Sequence, residues 1–200
     1  NEIPKTPVPS TLYKYCSPER IDILEGLRIR FSPPSKFNDT FDTYCLVPRA
    51  SGLKGKVDRI KLRARLGILC LAERPDNHLM WVNYARNHTG FVLGFDAHAP
   101  FFDENDRILR KVIYPDRPKV LPTPDRCACF YKSPEWKYEE EWRCVRDFRE
   151  SEDRLVMIEP TVITEIILGH RMEPWHISQI MQWAMLSEMN HVRFFLSSPS

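Results

Sequence analysis

Residues 133–145, SPEWKYEEEWRCV, decide how the rest of the chain is read. Ser133-Pro134 marks an opening turn, because proline fixes its own φ and keeps the residue before it out of the helical region. From Trp136 the side chains alternate. Trp136, Tyr138, Glu140, Trp142 and Cys144 take one parity; Lys137, Glu139, Glu141, Arg143 and Val145 take the other. Successive side chains of a strand point to opposite faces, and Tyr138, Trp142 and Val145 suit a strand. Glu139, Glu141 and Arg143 then share a face, where Arg143 offsets the repulsion between the carboxylates. Tyr138, Glu141, Trp142 and Val145 also recur at three- and four-residue spacing, so a helix stays open for the first half. Taken alone, the stretch describes a solvated, charged strand at a sheet edge.

Outward from it, short elements alternate. Toward the C-terminus, Leu155–Ile158 and Val162–Leu168 read as strands, Pro174–Asn190 as a helix and His191–Leu196 as a last strand. Ile177, Ile180, Met181, Ala184 and Met185 recur at helical spacing and predict core packing. Toward the N-terminus, Phe91–Phe95 and Ile108–Tyr114 read as strands, and the proline-rich 115–124 as an irregular loop. Asp76–Asn87 predicts a helix capped by Asp76 or Asn77, with Leu79, Trp81, Val82, Tyr84 and Ala85 on its packing stripes. Thr11–Tyr15, Leu27–Phe31 and Gly67–Ala72 are strands, and 51–67 is a basic, partly amphipathic helix. A short helix opens at Ser17-Pro18 and stops at Gly26. The sum is α+β, with residues 1–10 a flexible arm and 11–196 one domain.

The chain has 200 residues, enough for a real core, and its 42% hydrophobic and 28% charged content describe a globular protein. A net charge of +2 gives no general case for nucleic-acid binding. Six cysteines stand without a C-x-x-C, so a zinc knuckle is not indicated and they read as reduced core thiols. No run approaches the roughly 18 apolar residues that read as a membrane span. NEIPKTPVPS lacks a basic-then-apolar leader, and the expectation is action in the cytosol.

Other segments are richer in polar and aromatic side chains than their elements require: Leu12-Tyr13-Lys14-Tyr15, Phe37-Asn38-Asp39 with Phe41-Asp42, and Met80-Trp81-x-x-Tyr84-Ala85-x-x-His88-x-Gly90. On a helix Trp81, Tyr84, Ala85 and His88 share a face. Such a stripe is more often core, His88 can simply complement a helix C-terminus, and Asn38-Asp39 can be a turn.

Together FNDxFD, W-x-x-YA-x-x-H-x-G, SPEWxYExEWR and EIILG resemble a large bacterial family of unknown function, whose members begin LYKY and continue like LRIRFS. The resemblance covers about residues 12–170. Its layout is similar to the ADP-ribosyltransferase fold, a split, mostly antiparallel sheet with peripheral helices. Glu139-x-Glu141 matches the E-x-E of arginine-directed transferases. Lys14 stands where many have histidine, and CLAER where others have a serine-threonine-serine strand.

The resemblance implies that NAD is the substrate, held in a cleft onto which Lys14 and Glu141 both open. Lys14, with Arg28 or Arg30, meets the pyrophosphate, and Trp81 or Tyr84 stacks on the nicotinamide. Tyr13, Tyr15, Asn38, Asp39, His88 and Arg143 complete the binding set. Glu141 bonds the ribose 2′-hydroxyl and stabilises the developing oxocarbenium charge, while Glu139 positions or deprotonates the acceptor. Glu141→Gln is then expected to fold nearly normally. The implied settings are a toxin, an effector or phage defence, with a protein or nucleic-acid acceptor, an immunity or antitoxin partner, and no membrane. Two other readings stand beside it. Glu135-x-Lys137 with Asp39, Asp116 or Asp125 suggests a metal-dependent nuclease, and basic residues 54–65 suggest a non-catalytic binding module.

Overall fold

The fold is taken from a computed structural model, which describes residues 5–37, 52–116, 126–149 and 152–198. Asn38, Asp39, Phe41, Asp42 and Asp125 lie outside the described residues. The fold is mixed α+β, with mostly antiparallel strand pairing and few helices. The chain forms two compact units. One comprises residues 1–7, 30–70 and 102–154; the other comprises 8–29, 71–101 and 155–200.

In the first unit, β6 (Glu141–Asp147) lies between β5 (Arg107–Lys111) and β3 (Leu66–Ala72), the last two residues of β3 falling in the second unit. β5 and β6 run antiparallel, with Leu109 opposite Cys144 and Arg110 opposite Arg143. Flanked on both edges, β6 is buried from Glu141 through Val145. Val145 packs into a core of Leu66, Ile68, Cys129 and Phe130. The solvated edge strand expected from the stretch alone is therefore replaced by an interior one. α2 (Gly52–Arg65) precedes β3 as expected.

The strand reading also fails before Glu141. Pro134–Glu139 is a 3-10 helix, opened by proline and closed by Glu140, which is left-handed at φ 45°. The helical spacing thus describes the first half and the alternation the second. The left-handed residue is the joint that lets one follow the other.

In the second unit, β1 (Thr11–Cys16) pairs antiparallel with the end of β3 and with β4 (Phe91–Asp96). β4 pairs antiparallel with β8 (Ile163–Leu168), and β8 pairs in parallel with β9 (Arg193–Leu196). β2 (Arg28–Arg30) and β7 (Leu155–Met157) make a separate two-stranded sheet. α1 (Asp22–Gly26) ends one residue later than the glycine stop implies. Gly26 is its last residue, and Leu27 supplies the left-handed cap at φ 45°.

α3 (His78–Tyr84) is capped by Asn77, whose side chain accepts from the Met80 N–H at 3.3 Å. Met80, Trp81 and Ala85 are buried, while Leu79 and Val82 are exposed, so only one of the two expected stripes packs. α4 (Pro174–Leu186) shows the same narrowing. Ile180 and Ala184 are buried, yet Met181 and Met185 are 42% and 74% exposed. Each methionine sits one residue past a buried position, about 100° round the helix, and that turn carries it off a narrow seam.

Candidate functional site

The residues most able to do chemistry in the first unit meet where the 3-10 helix joins β6. Glu139 ends that helix and Glu141 begins the strand, so the two carboxylates reach one place from different backbone geometries. Between them lies Lys132. Its Nζ donates to Glu139 Oε2 at 2.5 Å and to Glu141 Oε2 at 3.0 Å, and it stands 4.9 Å from the centre of the Trp136 ring. Arg143, two residues along β6 and on the face of Glu141, grips that carboxylate with two bonds. Nε donates to Oε1 at 2.8 Å, and its NH2 group to Oε2 at 3.0 Å. The other guanidinium nitrogen donates to the Cys129 carbonyl at 2.6 Å, and the group lies over the Phe37 ring.

All four side chains are out of water. Arg143 is 0% exposed, Glu141 3%, Glu139 4% and Lys132 8%. Two positive and two negative charges balance, which is how a buried charge is tolerated. Burial alone would raise the Glu141 carboxyl, but Arg143 and Lys132 outweigh it and hold it down to about 2. Burial likewise works against the Lys132 ammonium, and the Glu141 and Glu139 carboxylates overcome it, pushing Lys132 up. The Cys70 thiol also donates to Glu141. The backbone is pinned as well: the Glu141 N–H donates to the Tyr114 hydroxyl at 3.1 Å, and its carbonyl accepts from Val112 at 2.8 Å. Sequence reasoning found Glu139, Glu141 and Arg143. It missed Lys132 and Tyr114, which lie outside SPEWKYEEEWRCV and share no period with it.

Lys14, Tyr13, Tyr15, Trp81, Tyr84, His88 and Arg28 sit in the second unit, and Arg30 is assigned to the first. On β1, Tyr13 and Tyr15 share one face and Lys14 takes the other, in line with Leu12 and Cys16. Lys14 is half-buried. The Tyr13 hydroxyl donates to Glu165 at 3.2 Å, and Arg193 pairs with the same carboxylate. Tyr15 is buried; its hydroxyl donates to the Arg74 carbonyl at 2.9 Å and accepts from the Asn77 N–H at 3.2 Å. Arg28 and Arg30 are exposed on β2.

Trp81 is 2% exposed and fully engaged. Its indole N–H donates to the Pro75 carbonyl at 2.8 Å, Tyr15 meets it edge-on at 5.5 Å, and His88 stacks on it at 5.2 Å. Tyr84 is half-buried. His88 does not lie on α3. The helix ends at Tyr84, and Arg86, Asn87 and His88 are left-handed at φ 45°, 53° and 67°. That turn folds the ring back onto Trp81, so the two meet as the spacing implied, but by another route.

Around His88 the structure gathers two imidazoles that the sequence reading passed over. His88 Nε2 lies 3.3 Å from His78 Nδ1, and the His170 ring is 4.6 Å away. His88 is buried, its Nδ1 has no hydrogen-bond partner, and burial, then His170, His78 and Arg171, push it below the ordinary imidazole value. The turn rests on close backbone contact. Gly169 N–H donates to the Gly90 carbonyl at 2.9 Å, and a Cβ on Gly169 would meet the His88 carbonyl oxygen at 2.1 Å. Among the described residues, no group of three or more His, Cys, Asp or Glu side chains is placed to hold a metal ion. No helix among them is long and apolar enough to cross a membrane.

Residues 80–144 match the family model described as a protein of unknown function, DUF2971. That span takes in the W-x-x-YA-x-x-H-x-G block and SPEWxYExEWR; EIILG lies beyond it. None of the curated proteins matches the chain. Among solved structures the chain is similar to Thermus sp. 2.9 DarT in complex with carba-NAD+, at 12% identity and a TM-score of 0.46, over 96% of this chain and 97% of that one.

Proposed function

We propose that the chain cleaves the bond between nicotinamide and ribose in NAD, as an ADP-ribosyltransferase or NAD glycohydrolase. One arrangement carries this reading: Glu141, buried yet held ionised, with a second carboxylate, Glu139, on the same ammonium. As the glycosidic bond breaks, its electron pair leaves with neutral nicotinamide and positive charge develops on the ribose. A fixed carboxylate beside that charge stabilises it. The acceptor atom then bonds to the ribose carbon and gives its proton to Glu139. A macromolecular acceptor, a toxin, effector or phage-defence role and an immunity partner belong to the same proposal.

A second reading is favoured by the same carboxylate. Glu141 already takes two donors from Arg143, one from Lys132 and one from Cys70, and an ionised carboxylate offers about four lone-pair sites. On that count the network is a structural fastening, and a ribose hydroxyl enters only by displacing the weak thiol donor. The deciding experiment is NAD turnover without added metal, beside circular dichroism, for the wild type, Glu141→Gln and Glu141→Asp. The enzyme reading expects turnover by the wild type and its loss in folded Glu141→Gln, with part retained by Glu141→Asp. A silent wild type, or a Glu141→Gln protein at the wild-type rate, leaves the fastening.

A further inference from the structure

α4 stands out on the surface of the second unit for what it lacks. Its 13 residues, PWHISQIMQWAML, include no Asp, Glu, Lys or Arg, in a chain that is 28% charged. Its buried seam is narrow, Ile180 and Ala184, so most of the helix faces water. Trp175, Met181, Met185 and Leu186 are between 42% and 74% exposed. An ordinary surface helix turns charged and polar residues away from the core, and a helix that is apolar all round is a buried one. The outward face is also shaped. A groove on it is lined by Ile177, Ser178, Met181, Gln182, Met185 and Leu186. These fall into two rows of four-residue spacing, Ile177-Met181-Met185 and Ser178-Gln182-Leu186. Rows of that spacing are the ridges by which packed helices interdigitate, crossing at about −50°.

We propose that this face docks a second copy of the chain, α4 against α4 across a twofold axis. Charge favours the copy over other occupants. A twofold interface lays a surface patch on itself, so any charge there would meet its like, and α4 carries none. Shape favours it too, because the helix supplies both halves of the fit. The Ile177-Met181-Met185 ridge of one copy enters the groove beside the same ridge of the other. The face is not built for lipid: helices lying on a membrane are rich in Lys and Arg on their polar side, and α4 has neither. Area sets the strength. Four exposed apolar side chains at on the order of 100 Å² each present about 400 Å² per copy, roughly half of the ~800 Å² per partner in a standard interface. The dimer is accordingly reversible, half-formed at on the order of tens of micromolar. Its axis passes near Met181 and Gln182, at the middle of the groove.

Sedimentation velocity of the 200-residue chain, from about 1 to about 300 μM, reads the association directly. The wild type should pass from monomer to dimer over that range, and Met185→Glu should stay monomeric. Met157→Glu, at a comparably exposed methionine on β7, is the control and should associate like the wild type. Charge then tests the twofold. Gln182 is exposed, and Gln182→Lys and Gln182→Glu each set like against like across the axis, so each alone should weaken association about tenfold. Mixed in equal amounts, the two should pair with each other at least as tightly as the wild type does, and salt should screen that rescue. Thermal melts of every variant check that the fold is kept. A wild type that is monomeric throughout overturns the proposal. So does a monomer that floats with anionic lipid vesicles, which would make α4 a membrane-surface helix. A dimer untouched by Met185→Glu and both Gln182 variants places the contact elsewhere and overturns it as well.

Discussion

Around Lys132 four charged side chains sit out of water; around His88 three imidazoles and an indole crowd together. The first group keeps its charges and cancels them pairwise, two cations against two carboxylates. The second has no such cancellation. The His88 ring faces His78, His170 and Arg171, all of them groups that oppose a proton on it, and its Nδ1 has no partner. A buried polar group is tolerated either by pairing its charge or by not carrying one, and this chain uses both solutions. The consequence is opposite sensitivity: the network is hurt by removing a charge, the cluster by adding one.

The sharpest way to break that contrast is to take one member from the network. Arg143→Met strands two carboxylates with one ammonium, and a broken buried pair typically costs about 3–5 kcal/mol. Denaturant melts at neutral pH should show that loss; a change near zero would mean the network relaxes into water. Glu141→Gln loses stability for the same reason, which revises the expectation of near-normal folding drawn from the sequence. The amide keeps the shape but sits between Arg143 and Lys132 without the charge both are built around. If Glu141 is also catalytic, NAD turnover falls on the order of a hundred- to a thousand-fold beyond any loss of folded protein.

The next effect is smaller and falls on the cluster. His88 occupies a left-handed backbone, which histidine and asparagine tolerate and β-branched residues resist. His88→Val should cost about 1–3 kcal/mol in backbone strain, on top of the lost stacking, while His88→Asn should lose only the stacking. Equal melts for the two variants would contradict the turn geometry.

Acid separates the regions by pH. His88 is depressed in the fold, so the unfolded chain binds more protons and the contribution of His88 is present above about pH 6.5 and lost as pH falls through its lower folded value. Glu141 is depressed from 4.5 to about 2, so its contribution persists until pH falls below 4.5. Melts of the wild type should therefore decline in two stages, and His88→Asn should flatten the first while leaving the second. The smallest effect is Gly26→Ala. Gly26 ends α1 with its nearest neighbour 3.6 Å from an added Cβ, so alanine should add about 0.4–1 kcal/mol. A loss would mean that Gly26, not Leu27, is the left-handed cap.

Most strands were legible because each carries its own alternation or apolar run: Gly67–Ala72, Phe91–Phe95 and Val162–Leu168, read from the chain, each fall within a residue of the observed β3, β4 and β8. What could not be read was burial on the second face. Nothing inside EWRCVRD says that β5 and β3 flank it, and an edge strand of the same composition would be solvated. The methionines of α4 failed similarly, because periodicity marks a helix face but not the width of the seam that packs. At the site, E-x-E and the following arginine were visible as a local pattern. Lys132 was not, because its approach to Glu139 and Glu141 is made by a turn whose left-handed residue, Glu140, is neither glycine nor asparagine. The histidines converge for a related reason: the Gly90–Gly169 crossing joins segments that no spacing connects.

β9 lies parallel to β8, and it reaches β8 only after the chain has travelled through α4. A parallel partner cannot be added by a tight hairpin, so closure waits for the helix between them to form and dock. Until then β8 has an unpaired side, and afterwards β9 is itself the outermost strand, with Phe195 and Leu196 exposed. Such an edge is open to pairing with whatever extended chain is nearby. The yield of native protein on refolding should therefore depend on concentration, and a lysine at Leu196 should lessen that dependence without touching either buried cluster.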